Sequence, residues 1–204
     1  MFQSRVLHLF ILALMSIFLG ACNNSIPPAS PQTVIDALAK QLEVKYQVLA
    51  NRGEGGCVLP GLTEVSAEAN CFEVALALTA PLAVSADTLN KNWAIYFSQT
   101  DPLLAQAPGE FVIEHINGDL HRITPDAAFV GFSAGETKTL NFIARGLNLT
   151  EAKIMPNYYV VAEGGGVDSE ARIIESTRIV IDPETGLELR PYAVDINPNH
   201  FKSS

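Results

Sequence analysis

His115 and His121 are the first residues whose type and spacing suggest chemistry, because two imidazole lone pairs are the start of a zinc or copper site. Between them lies Asn117-Gly118, the strongest short signal for a tight β-hairpin, since a type I′ turn needs positive φ at both central residues. With those two residues as the loop, Ile116 faces Asp119, His115 faces Leu120 and Glu114 faces His121. Side chains alternate between the faces of a strand. The two histidines are therefore expected on opposite sides of the sheet, and no metal is expected. Glu114 and His121 become the expected cross-strand pair. A one-residue shift of register, or a bulge, would bring the histidines back together.

Other reactive groups lack a frame. Ser133-Ala134-Gly135 is no Gly-x-Ser-x-Gly elbow, and no strand-to-helix turn is expected there. Gly164-Gly165-Gly166 has neither the following helix nor the Lys-Ser/Thr of a phosphate loop. Carboxylates are plentiful, but none forms a pair with the special environment that glycoside hydrolysis requires. No catalytic residue and no cofactor is expected. Cys57 and Cys71 are expected to form a disulfide if the chain is exported, two free core thiols being the alternative. Flat aromatic rings stack on the CH faces of pyranoses, so Trp93, Tyr96, Tyr158 and Tyr159 are the candidates for carbohydrate contact. Trp93 shares a strand face with Ile95 and Phe97 and reads as core. Tyr158 and Tyr159 are adjacent and face opposite ways.

These residues need elements to hold them. Ser30-Pro31 is a helix start, and Val34, Ile35, Leu38 and Leu42 follow at helical spacing, which predicts a short helix over about 31–41. From Leu42 the period changes to two. Strands are expected at 42–48, 72–78, 93–98, 111–116, 119–123, 137–144, 157–163 and 171–181. One helix among many turn-punctuated strands indicates an all-β chain folded as an antiparallel β-sandwich.

The chain has 204 residues, 17% charged and 48% hydrophobic, with net charge −9. That is enough for one ordinary domain and too short for a (β/α)₈ barrel of about 250 residues. No Lys/Arg cluster is present, which sets nucleic acid aside as a partner. Arg5, the apolar run Val6–Phe18 and the exit Leu19-Gly20-Ala21-Cys22 describe a lipoprotein signal peptide over 1–21, with Cys22 as the lipid attachment site. Residues 22–30 read as a tether, 31–181 as the sandwich and 182–204 as a C-terminal tail. Asn23 after the cysteine favours the outer membrane, so the expected location is the bacterial cell envelope, with the membrane as a partner through the lipid.

The stretch from His115 to Pro125 (HINGDLHRITP), then Phe129 to Thr137 (FVGFSAGET) and Met155 to Val160 (MPNYYV), resembles the N-terminal domain of bacterial chitobiases, the β-N-acetylhexosaminidases. Leu42 to Arg52 and Asn92 to Ser98 fit the same domain in the same order, so the likeness runs from about Val34 to Val180. The resemblance implies a β-sandwich similar to cellulose-binding modules that binds carbohydrate. Its implied partner is a β-1,4-linked N-acetylglucosamine polysaccharide or oligosaccharide. The family's catalytic Asp-Glu pair lies in a barrel with no counterpart here, which implies a non-catalytic role. Where the family carries Pro-x-Trp-Tyr-Val this chain has Tyr158, and 146–153 lack aromatics, which implies fewer stacking rings. Two other roles follow from the same residues: a truncated hexosaminidase whose domain packs on its neighbours, or an envelope lipoprotein that binds proteins.

Overall fold

Helix α1 (Pro31–Gln41) begins where Ser30 Oγ accepts from the Thr33 amide at 3.2 Å and Pro31 takes the first helical position. It buries Val34, Ile35, Leu38 and Ala39 on one face and ends at Leu42. The structure is a computed structural model that describes residues 30–53, 56–58, 70–80, 84–85, 92–163 and 169–194. The expected signal peptide, Cys22 and most of the tether lie outside the described residues. Among the described residues, no helix is long and apolar enough to cross a membrane.

Among the described residues fourteen strands follow. The longer ones are β1 (Glu43–Arg52), β2 (Cys71–Ala80), β4 (Trp93–Ser98), β5 (Leu103–Gln106), β6 (Phe111–Asn117), β7 (Leu120–Pro125), β9 (Glu136–Arg145) and β10 (Tyr159–Ala162). The two-residue strands are β3 (Val84–Ser85), β8 (Gly131–Phe132), β11 (Arg172–Ile173), β12 (Val180–Ile181), β13 (Glu188–Leu189) and β14 (Ala193–Val194). Two five-stranded sheets carry the fold, ordered β14-β1-β2-β9-β5 and β11-β10-β4-β7-β6. All pairings in them are antiparallel except β1 with β14. The chain is therefore an all-β sandwich, as its alternating pattern indicates.

Alternation explains the core. Val44, Tyr46 and Val48 from β1, Val74, Leu76 and Leu78 from β2, and Leu140 and Phe142 from β9 meet Trp93, Ile95 and Phe97 from β4 in one buried cluster. At the end away from the Gly118 turn, Trp93 packs edge-on against Phe111 and Phe129. Lys138 closes that end, its Nζ 5.7 Å from the Phe129 ring and 2.7 Å from Glu110. The disulfide between Cys57 and Cys71 is present, both sulfurs buried. Beside it Glu73 accepts from Arg52 Nε and the Val58 amide.

Two expectations change. The strand expected over 171–181 is broken into β11, a 3₁₀ turn at Glu175–Thr177, and β12. Side-chain hydroxyls compete with the ladder there. Thr177 Oγ1 donates to Ile174 O and accepts from the Tyr158 amide, while Ser176 Oγ donates to Leu42 O and accepts from the Val44 amide. The second change is at the C-terminal end. Within the residues expected as tail, β13 pairs with β12 in a small ribbon and β14 is an edge strand of the first sheet. Tyr192 is buried there and donates to Ile154 O at 3.0 Å.

Candidate functional site

Strand alternation divides the four aromatic candidates. Trp93 and Tyr158 point into the core and are each 1% exposed, so neither offers a ring face to a ligand. Tyr96 and Tyr159 point outward from the second sheet. Tyr159 sits opposite Tyr96 across β10 and β4, and Tyr96 sits opposite Arg122 across β4 and β7. Arg122 in turn sits opposite Glu114 on β6. Four strands thus set Tyr159, Tyr96, Arg122 and Glu114 in one transverse row.

The row is held by polar contacts. Tyr96 Oη donates to Glu163 Oε1 at 3.0 Å. Arg122 hydrogen-bonds Glu114 through its Nε and one terminal nitrogen, and approaches Glu163 with the other at 3.4 Å. These contacts, Glu114 first and then Tyr96, hold the guanidinium further up in pKa than an ordinary arginine, so it is always charged. Tyr159 is 42% exposed. A free ring beside a fixed set of donors and acceptors can stack on a sugar and hydrogen-bond its hydroxyls. Arg122 and Glu163 carry no mark in the sequence pattern, and Glu114 is expected there only as the partner of His121. The expected Glu114–His121 pair had taken Glu114 away from Arg122.

The hairpin differs from expectation at its turn. Asn117 pairs with Leu120, leaving Gly118 and Asp119 as the loop, with Gly118 at φ +57°. Ile116 is an extra residue, so His115 pairs directly with His121. The two histidines share one face, with ring centres 5.1 Å apart. They line a hollow of about 260 Å³ with Gln99, Thr100, Pro102, Leu103 and Gly118, where the chain crosses from β4 to β5. Burial lowers the pKa of His121, partly countered by its bond to Asp119 O, and the nearby His115 lowers it further. Among the described residues no set of three or more His, Cys, Asp or Glu is grouped as metal ligands. A second, more open hollow of about 400 Å³ lies beside α1, but Arg172 and Arg178 on its wall are already bonded to Asp36, Glu170 and Glu175.

The family described as "Putative carbohydrate binding domain" matches residues 41–204. N,N'-diacetylchitobiase of Vibrio harveyi is 33% identical over 186 residues, 89% of this chain and 20% of that protein. Beta-hexosaminidase of Vibrio vulnificus is 33% identical over 132 residues, 65% of this chain and 14% of that protein. Beta-hexosaminidase B of Pseudoalteromonas piscicida is 29% identical over 160 residues, 78% of this chain and 19% of that protein. The chain spans about a fifth or less of the length of these relatives.

Proposed function

Because the chain belongs to the carbohydrate-binding domain family matched over residues 41–204, we propose that it is a non-catalytic module for chitin-type sugars, anchored on the bacterial envelope. The ligand is a β-1,4-linked N-acetylglucosamine oligosaccharide or polysaccharide. It lies along the outer face of the second sheet, one ring on Tyr159 and its hydroxyls reaching the Tyr96–Arg122–Glu114–Glu163 set. The observation that carries this reading is the cross-strand pair of Tyr159 and Tyr96 on an outward sheet face. Arg122 is offset by two carboxylates, so the row addresses a neutral ligand through hydrogen bonds rather than net charge. The chain's net charge of −9 repels polyanionic polysaccharides and fits the same choice.

The anchor is Cys22. Lipid on that residue would hold the domain at the outer membrane through several acyl chains, each buried CH₂ contributing about 0.8 kcal/mol. Chitin pull-down of the mature chain, with calorimetry against chitooligosaccharides, tests the binding; no binding at millimolar sugar defeats it. Labelled palmitate incorporated into the wild type and not into Cys22→Ser tests the anchor. The absence of p-nitrophenol release from an N-acetylglucosaminide tests the non-catalytic role.

A second reading has its own observation. Val180, Ile181, Leu187 and Leu189 on the β12–β13 ribbon are all exposed, which suits packing on a neighbouring domain of a hexosaminidase. A catalytic barrel encoded in the adjoining DNA, together with no sugar binding, favours that role.

A further inference from the structure

We propose that His115 and His121 form an open binding site for a divalent transition-metal ion in the hollow beneath the β6–β7 turn. His115 Nε2 lies 2.9 Å from Gly118 O, and His121 Nδ1 lies 2.9 Å from Asp119 O. A carbonyl oxygen only accepts, so both of these nitrogens carry the proton. The lone pairs therefore reside on His115 Nδ1 and His121 Nε2. Metal-ligating histidines are held in this way, with the second ring N–H donated to a carbonyl that fixes tautomer and orientation.

The spacing agrees. With zinc–nitrogen bonds of ~2.0–2.1 Å, two imidazoles on one tetrahedral ion have ring centres about 5 Å apart. The observed separation is 5.1 Å, with the planes inclined at 48°. The bulge at Ile116 produces this pairing, since an unbulged strand of the same register would place Ile116, not His115, opposite His121.

Gln99 supplies an independent observation. It is 4% exposed and lines the same hollow. Its Oε1 accepts from Tyr46 Oη at 2.9 Å, and its backbone amide donates to the same Asp119 carbonyl that holds His121. Its Nε2 has no acceptor among the described residues. A buried unpartnered donor is costly, and an oxygen ligand carried by the ion would satisfy it. Two protein nitrogens leave coordination positions for water or for an oxygen of a bound molecule. Imidazole nitrogen suits zinc, copper and nickel rather than magnesium or calcium.

The test is calorimetric titration of the mature chain with Zn²⁺, with Mg²⁺ as the hard-cation comparison, alongside NMR of the histidine rings. The expected result is 1:1 zinc binding, no magnesium binding, and shifts at both His115 and His121 rings. His115→Ala, at an exposed ring, is expected to weaken zinc by about tenfold or more, and His121→Gln likewise. Zinc affinity unchanged in His115→Ala would overturn the proposal and place the ion elsewhere, for example on His200. No zinc binding up to millimolar concentration would also overturn it. Because His121 is buried, His121→Gln is checked for folding by circular dichroism; should it unfold, His115→Ala alone decides.

Discussion

Tyr159 stands directly opposite Tyr96 across β10 and β4, on the outward face of the second sheet. Tyr159 keeps an open ring, whereas the Tyr96 hydroxyl is tied to Glu163. The two rings divide the work of a sugar platform: one stacks and the other orients the polar row. Tyr159→Ala is expected to weaken chitooligosaccharide binding about five- to tenfold, the loss of roughly 1 kcal/mol of aromatic contact. The melting temperature should stay near the wild-type value because the side chain is largely outside the core. Calorimetry and a thermal melt on the same sample check both.

Arg122 on β7 links Glu114 on β6 to Glu163, which lies just past the end of β10. All three side chains are partly exposed, so Arg122→Ala is expected to cost at most about 1 kcal/mol of stability. Its effect on sugar binding should be larger than that of Tyr159→Ala, because two carboxylates then lose their counter-charge and repel one another. Arg122→Lys is expected to recover stability but not binding, since an ammonium cannot make the forked contact. Parallel titrations of the two variants distinguish charge from geometry.

Cys57 and Cys71 close a loop of 15 residues counting both ends, against the buried ends of β2 and β9. Reduction is expected to lower stability by about 3 kcal/mol. Chemical denaturation with and without reductant measures it. A Cys57→Ala/Cys71→Ala chain should match the reduced protein and be insensitive to reductant.

His121 sets a pH dependence of known sign. Burial lowers its pKa below the ordinary 6.5, so the folded state binds fewer protons than the unfolded state in that window. Stability therefore rises with pH up to about 6.5 and falls as the pH drops from there toward the lowered folded value. His121→Gln is expected to flatten this part of the curve. The carboxyls of Asp36, Glu136, Glu175 and Asp182, all lowered, act only in the more acid range below their ordinary values of 3.8 and 4.5. Denaturant midpoints measured from pH 8 to pH 5 check the histidine contribution without them.

Much of the scaffold was legible because the hydrophobic period is strong. Helix α1 follows from Ser30, Pro31 and the Val34–Ile35–Leu38 spacing, and β4 from the alternation that buries Trp93, Ile95 and Phe97. The site was less legible because it depends on one residue of register. Asn117-Gly118 suggested a loop of those two, but only Gly118 takes a positive φ there. Glycine occupies the first central position instead, as type II′ loops prefer, and Ile116 bulges. That single shift moves His115 and His121 from opposite faces to one, and gives Glu114 to Arg122. Short strands were hard to see for a related reason. The strand expected over 171–181 gives way at Ser176 and Thr177, whose hydroxyls bind the backbone amides of Val44 and Tyr158, distant partners that no local pattern reveals. The edge strand β14 is two residues long and gains its place from Tyr192 in the core.

The central claim is that the outer face of the second sheet binds chitin-type sugar. Titrating chitooligosaccharide into isotopically labelled mature chain, and following backbone amide shifts, tests it most directly. The account predicts saturable shifts clustered on β4, β7 and β10 around Tyr96, Arg122 and Tyr159, lost in Tyr159→Ala. Absence of shifts at millimolar sugar, or shifts confined to the β12–β13 ribbon, would contradict it.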